Sequence, residues 1–110
     1  ARRIEHRPAG VDANPYLVAA TVLAGIRHGM KNKIDPGPET TGNGYTDAQD
    51  APPIPVDWRS AIEAAKASAF LKDALGEEMH RTFTAIISAE YARVARTVSE
   101  VDFDLYLHTV

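Results

Sequence analysis

Apolar residues recur at helical spacing along the second half of the chain. Between Glu77 and about Val98 an apolar side chain falls at every third or fourth position, at Met79, Phe83, Ile86, Ile87, Tyr91, Val94 and Val98. Before this segment, Asp57 is a good N-cap for a helix from Trp58 to about Ser68. A short helix follows that one and ends at Gly76. The pattern therefore predicts helices throughout residues 57–98.

A second apolar segment lies nearer the N-terminus, in residues 14–29. Asn14 is a good N-cap, and Pro15 suits the first helical position because its φ is already fixed. The helix that follows is apolar nearly all round, at Tyr16, Leu17, Val18, Ala19, Ala20, Val22, Leu23, Ala24 and Ile26. A helix with this pattern is expected to be buried on most of its sides.

Residues 30–56 are predicted to form a loop, because glycine and proline interrupt the helical pattern there. These residues are Pro36, Gly37, Pro38, Gly42, Gly44, Pro52, Pro53 and Pro55. The tail, residues 99–110, is predicted to be helical again, because Ser99 and Asp102 have the spacing of a capping box. The tail is too apolar to lie free in water. It is expected either to fold back onto the chain's own helices or to dock into another subunit.

Residues 1–8 carry the densest candidate chemistry. If they form an extended strand, Arg3, Glu5 and Arg7 lie on one face, about 6.6 Å apart. A carboxylate between two guanidinium groups suits a site for Mg²⁺ and phosphate, because carboxylates bind hard cations and arginines bind phosphate or carboxylate oxygens. The alternative is a surface strand whose ion pairs contribute little.

A strand at a terminus needs partner strands, and no second strand is predicted downstream. The predicted fold class is therefore mostly α with one N-terminal β-strand, and the simplest interpretation is the C-terminal piece of a larger protein. The alternative is a deliberately made or proteolysed fragment whose N-terminal strand is disordered.

Composition narrows the function classes. The chain has 110 residues, enough for one small domain, and its net charge of −3 argues against a general nucleic-acid or membrane-surface binder. The absence of cysteine excludes disulfides and thiolate metal sites and fits a reducing compartment. The longest apolar run, residues 16–26, is too short to span a bilayer.

Four segments resemble the glutamine synthetase family, in the C-terminal part of its catalytic domain. They are residues 2–7 (RRIEHR), 12–17 (DANPYL), 31–37 (KNKIDPG) and 103–106 (FDLY), in the family's order and spacing. The resemblance implies a parent catalytic domain of α+β class with a curved antiparallel sheet. It also implies a cytoplasmic, ATP-dependent ligase of nitrogen metabolism that joins glutamate to ammonia or an amine.

The resemblance assigns roles residue by residue. Glu5 matches a ligand of one of two divalent cations, Mg²⁺ or Mn²⁺, and Arg7 matches a catalytic arginine that binds the glutamate substrate. Arg3 matches a residue near the nucleotide phosphates, and Tyr45 has the spacing of a tyrosine that is adenylylated in some bacterial members. The tail matches a segment that helps to build a dodecamer.

The acceptor amine stays open, although residues 10–14 look closer to the branch that uses polyamines or other alkyl amines. The isolated chain is predicted to be inactive, because one carboxylate does not hold Mg²⁺ against water. The competing interpretation is a non-catalytic helical module for interaction or oligomerisation. Nucleic-acid binding through the N-terminal arginines would need a wider basic surface than this acidic chain offers.

Overall fold

The computed structural model describes residues 5–47 and 52–109, and every regular element within them is an α-helix. The helices are α1 (Pro15–Asn32), α2 (Gly44–Asp47), α3 (Trp58–Ala67), α4 (Ala69–Leu75), α5 (Glu77–Val94) and α6 (Glu100–Tyr106).

The predicted N-terminal strand is not seen in residues 5–8, which have no regular secondary structure; its first half lies outside the described residues. A lone extended segment has no neighbouring strand to accept and donate its backbone hydrogen bonds, so it makes no ladder. The mostly helical class is confirmed, and the strand is not.

Side-chain caps fix where the helices begin. The side chain of Asn14 accepts hydrogen bonds from the backbone N–H groups of Tyr16 and Leu17, at 3.0 and 3.3 Å. Asp57 caps α3 by accepting from Ser60, through its hydroxyl and backbone N–H, and these bonds lower the pKa of the Asp57 carboxyl. The capping box predicted at Ser99 and Asp102 is present at the start of α6.

The end of α1 and the loop after it differ from the prediction. The helix continues past residue 29 to Asn32 and stops where Lys33 adopts a left-handed conformation, with φ 50°. The N–H of Ile34 then donates to the Gly29 carbonyl at 3.0 Å, as in a Schellman motif. Helix α2 also lies inside the predicted loop of residues 30–56.

The helices pack mainly around α5, which contacts α3 and α4, while α1 contacts α4. In the part of the chain that the structure describes, the buried residues are Ile62 of α3 and His80 and Thr84 of α5. The Nε2 atom of His80 donates to the carbonyl of Ala65 at 2.8 Å, since a carbonyl oxygen only accepts. A polar clamp therefore joins the end of α3 to the first turns of α5.

The predicted burial of α1 is not found within the described chain. None of its residues is buried, and Tyr16, Leu23 and Met30 are 84%, 65% and 76% exposed. The chain exposes 10129 Å² in all, whereas a compact monomer of its mass exposes about 6,000 Å². The described helices therefore bury little of their surface against one another, and for α1 the main contact among them is α4.

The tail does not fold back onto the other helices. The apolar residues of α6 and its end remain between 53% and 63% exposed: Val101, Phe103, Leu105, Tyr106 and Leu107. Of the two expectations for the tail, docking into another subunit is the one that stays open.

Candidate functional site

Glu5 and Arg7 form the candidate catalytic pair. The Nε–H of Arg7 donates to Oε1 of Glu5 at 2.7 Å, a short charge-assisted hydrogen bond. The side chains are 47% exposed at Glu5 and 81% exposed at Arg7, so both groups lie at the surface. The spacing of two residues predicts that these side chains are neighbours, and they meet although residues 5–8 form no strand.

Both groups of this ion pair carry more than one polar atom. A carboxylate has two oxygens and several lone pairs, and a guanidinium has further N–H groups beyond Nε. At this exposure an ion pair contributes little to stability. The ion pair between Glu5 and Arg7 therefore does little to hold the fold.

The structure does not complete the predicted site. Arg3 lies outside the described residues. Within residues 5–47 and 52–109, no group of three or more histidine or acidic side chains is placed to hold a metal ion. A divalent cation is usually held by several oxygen ligands, so a cation at Glu5 would need ligands other than the residues described here.

A tight turn follows the pair and leads into α1. The N–H of Ala13 donates to the Gly10 carbonyl at 3.1 Å, which places Val11 and Asp12 at the middle of the turn. Val11 is fully exposed, and a Cβ built on Gly10 would lie 2.5 Å from Oδ1 of Asp12. The turn presents two consecutive exposed residues, Val11 and Asp12, which the sequence pattern did not predict.

Tyr45 lies in the short helix α2, whose start is held by local hydrogen bonds. The backbone N–H of Tyr45 donates to the side chain of Asn43 at 3.0 Å, and the carboxylate of Asp47 accepts from the backbone N–H of Asn43 at 2.8 Å. Gly42 lies just before this helix with φ 104°, a left-handed conformation that suits glycine. The Tyr45 side chain is fully exposed.

Residues 1–106 match the model of the glutamine synthetase catalytic domain. The chain belongs to the glutamine synthetase family. Members of this family join ammonia or other amines to glutamate in ATP-dependent reactions that use divalent metal ions.

Individual relatives share about a third of their residues with the chain. It is 34% identical to gamma-glutamylputrescine synthetase of Escherichia coli and 32% identical to glutamine synthetase of Methanosarcina mazei, each over 96% of the chain. It is 33% identical, over 86% of the chain, to gamma-glutamylethanolamide synthetase of Streptomyces coelicolor. The aligned segments are 22%, 25% and 18% of these relatives, so the chain spans about a quarter of their length or less.

The aligned lengths separate the relatives. The alignments with glutamine synthetases run over 111 to 114 residues, more than the 110 residues of the chain, so those proteins carry residues that have no counterpart here. The alignment with gamma-glutamylputrescine synthetase covers the same 96% of the chain over 105 residues. No such extra residues are needed in that comparison.

None of the helices in the described ranges combines the length and apolarity that a membrane-spanning segment needs.

Proposed function

We propose that the protein containing this chain is an ATP-dependent glutamate–amine ligase. Two features support the proposal: the family match over residues 1–106, and the 2.7 Å contact that keeps a carboxylate and a guanidinium together on one side of the N-terminal segment. The contact carries the argument, since it joins in one place the groups that bind a cation and an acidic substrate.

The reaction has two steps. First, a γ-carboxylate oxygen of glutamate attacks the γ-phosphorus of ATP, the bond from that phosphorus to the β–γ bridging oxygen breaks, and ADP leaves. The lone pair of the amine nitrogen then attacks the acyl carbon, the bond from carbon to the phosphate oxygen breaks, and phosphate leaves while the nitrogen loses a proton. Both steps move negative charge, which positively charged groups stabilise when they are already in place.

Each residue has a proposed part in these steps. Arg7 binds the glutamate carboxylate and its acyl phosphate through its guanidinium N–H groups. Glu5 supplies one ligand to Mg²⁺ or Mn²⁺, and Arg3 contributes to nucleotide binding. The cation, when bound, neutralises phosphate charge. The contact with Arg7 orients the Glu5 carboxylate, as second partners do for metal ligands.

An alkyl amine is the acceptor that we propose in preference to ammonia. The support is the aligned length: the chain matches gamma-glutamylputrescine synthetase without the additional residues that glutamine synthetases carry. The segment at residues 10–14, which follows the catalytic pair, also looks closer to the alkyl-amine branch.

The test is ADP formation by the purified full-length protein with glutamate and a panel of amines. We expect ADP to form only when glutamate, a divalent cation and an acceptor are all present, with an alkyl amine saturating at lower concentration than ammonium. If ammonium is the one acceptor that supports ADP formation, the assignment as a ligase stands and the proposal of an alkyl-amine acceptor is contradicted. If no ADP forms with any amine, the result would favour a non-catalytic helical module, in which the exposed apolar helices bind another protein chain.

We further propose that Tyr45 is accessible to adenylylation. Its full exposure in the short helix α2, whose start is held by Asn43 and Asp47, supports this, because a modifying enzyme must reach the phenol oxygen. Mass spectrometry of the native protein from cells in nitrogen excess is expected to find an added adenylyl group on Tyr45. An unmodified Tyr45 under those conditions would contradict the proposal.

We propose that the tail joins subunits of a homo-oligomer, a dodecamer by the family resemblance. The exposed apolar side chains of α6 support this. Removing residues 99–110 from the full-length protein should shift its mass in solution towards smaller species. An unchanged assembly would contradict it.

A further inference from the structure

The chain contains asparagine at positions 14, 32 and 43, and the third of these has a distinct neighbour. Glycine follows Asn43, so no side chain shields the backbone nitrogen that lies next to its side-chain amide. Attack of that nitrogen on the side-chain carbonyl carbon closes a five-membered ring, which makes asparagine chemically reactive. The local structure around each asparagine decides whether this reaction is open to it.

The backbone nitrogen of Gly44 is free to react. Gly44 is the first residue of α2, and an N–H group at this position has no partner inside its own helix. Within the described ranges, no other residue accepts a hydrogen bond from it. Asn43 and Gly44 are both exposed, so water and hydroxide reach them.

The side-chain amide of Asn43 is polarised for attack. Its Oδ1 atom accepts a hydrogen bond from the backbone N–H of Tyr45 at 3.0 Å. A donor on this oxygen draws electron density from Cγ and stabilises the negative charge that develops there when a nucleophile adds. The junction between Asn43 and Gly44 therefore combines an unpaired nitrogen with a polarised carbonyl group.

The other two asparagines lack this combination. Pro15, which follows Asn14, has no backbone N–H to lose. At Asn32, Nδ2 donates to the His28 carbonyl at 2.9 Å, and the next backbone N–H donates to the Met30 carbonyl at 3.3 Å. Both of those hydrogen bonds have to break before a ring can close at residue 32.

We propose that Asn43 is a site of spontaneous deamidation through attack by the Gly44 nitrogen. Hydroxide removes the N–H proton, and the nitrogen lone pair forms a bond to Cγ of Asn43. The bond from Cγ to Nδ2 then breaks, and ammonia leaves with a proton taken from water. Water opens the resulting succinimide ring at one of its two carbonyl carbons. Breaking the Cγ–N bond gives aspartate, and breaking the bond from the backbone carbon to nitrogen gives isoaspartate.

The reaction changes the start of α2. Either product replaces a neutral amide by a carboxylate two residues before Tyr45. Isoaspartate also adds a methylene group to the main chain, which displaces the carbonyl of residue 43. That carbonyl accepts from the N–H groups of Thr46 and Asp47 at 3.0 and 2.8 Å, so a helix of four residues loses the bonds that hold it. The surface around Tyr45 therefore changes as the protein ages.

The experiment follows the peptides that contain each asparagine. Purified full-length protein is incubated at neutral and at mildly alkaline pH, digested and analysed by mass spectrometry, and isoaspartate is detected with an isoaspartate-specific methyltransferase. We expect the amide-to-acid mass change at residue 43, faster at higher pH because the attacking nitrogen must lose its proton. Asn14 and Asn32 should keep their amides.

Gly44→Ala is the matched variant. Gly44 has no positive φ, and a Cβ built on it meets no atom within 4 Å, so alanine fits without strain and leaves Asn43 in place. The methyl group shields the nitrogen and restricts the backbone rotation that ring closure needs, so deamidation should slow by at least about tenfold. Asn43→Gln lengthens the side chain by one methylene, which removes the five-membered ring, and should form no acid at residue 43.

The outcomes decide each part of the inference. Deamidation of Asn32 as fast as that of Asn43, an unchanged rate in Gly44→Ala, or acid at residue 43 in Asn43→Gln would overturn the proposed site. Limited proteolysis within residues 42–47 should be faster in the aged unmodified protein than in aged Gly44→Ala. Equal cleavage of the two would contradict the opening of α2. None of these results depends on the ligase activity, so that proposal is tested separately.

Discussion

The hydrogen bond from His80 to the Ala65 carbonyl should hold the contact between α3 and α5 together. His80 is 8% exposed, and its ring Nε2 lies 2.8 Å from the Ala65 carbonyl oxygen. Replacing it with alanine removes a hydrogen bond that contributes about 1 kcal/mol and leaves a cavity, for a total cost of about 2–3 kcal/mol. His80→Phe fills the space but leaves Ala65 with only the 3.3 Å bond from the Ser68 N–H, and should cost about 1 kcal/mol.

Urea unfolding of the isolated chain, followed by far-ultraviolet circular dichroism, measures both changes. For a chain of this size, about 1 kcal/mol moves the midpoint by roughly 1 M, so His80→Ala should lose about 2 M and His80→Phe about half as much. The exposed His108 provides the control, and His108→Ala should leave the midpoint within experimental error. If the isolated chain gives no cooperative transition, the thermal midpoints of the full-length variants are compared instead. Equal midpoints for His80→Ala and His108→Ala would refute the reasoning.

Two further predictions concern helix ends. Lys33→Gly should raise the free energy of unfolding by about 0.5–1 kcal/mol, because glycine adopts the left-handed conformation without steric cost. Lys31→Gly, inside α1, should lower the free energy of unfolding by about 1 kcal/mol. Shifts of the same sign for the two variants in urea unfolding would be inconsistent with this account. The pKa of Asp102 is lowered by hydrogen bonds from the backbone N–H and then the hydroxyl of Ser99. Since its folded pKa lies below the unfolded one, the stabilisation is present above the unfolded value and is lost as the pH falls through the folded pKa, below about pH 4. Helicity should therefore drop in that range, and Asp102→Asn should remove this part of the pH profile; a profile that the substitution leaves intact would rule out the capping box as its cause.

Local chemistry made several features predictable from the sequence. Asn14, Asp57 and the pair of Ser99 and Asp102 cap the helices where their side chains indicated, because capping involves residues only a few positions apart. The contact between Glu5 and Arg7 was predictable for the same reason.

Features that depend on distant partners were not predictable. The burial of His80 depends on Ala65, fifteen positions away in the chain, and nothing in the spacing of α5 distinguishes it from an exposed histidine. The exposure of α1 was missed because an apolar pattern indicates that a helix seeks cover and does not say which surface supplies it. Lys33 ended α1 in place of Gly29, since the left-handed stop favours glycine without requiring it.

ADP formation by the full-length Glu5→Gln enzyme tests the central claim most directly. The substitution keeps the shape of the side chain and removes the charge that a divalent cation needs. Glu63→Gln is the matched control, because Glu63 also forms an exposed ion pair, with Lys66 at 3.0 Å. We predict that Glu5→Gln loses at least about a hundredfold in turnover, as removal of one electrostatic contact at a reacting centre does, while Glu63→Gln keeps full activity. Equal activity of the two variants would contradict the assignment of Glu5 and Arg7 to the catalytic site.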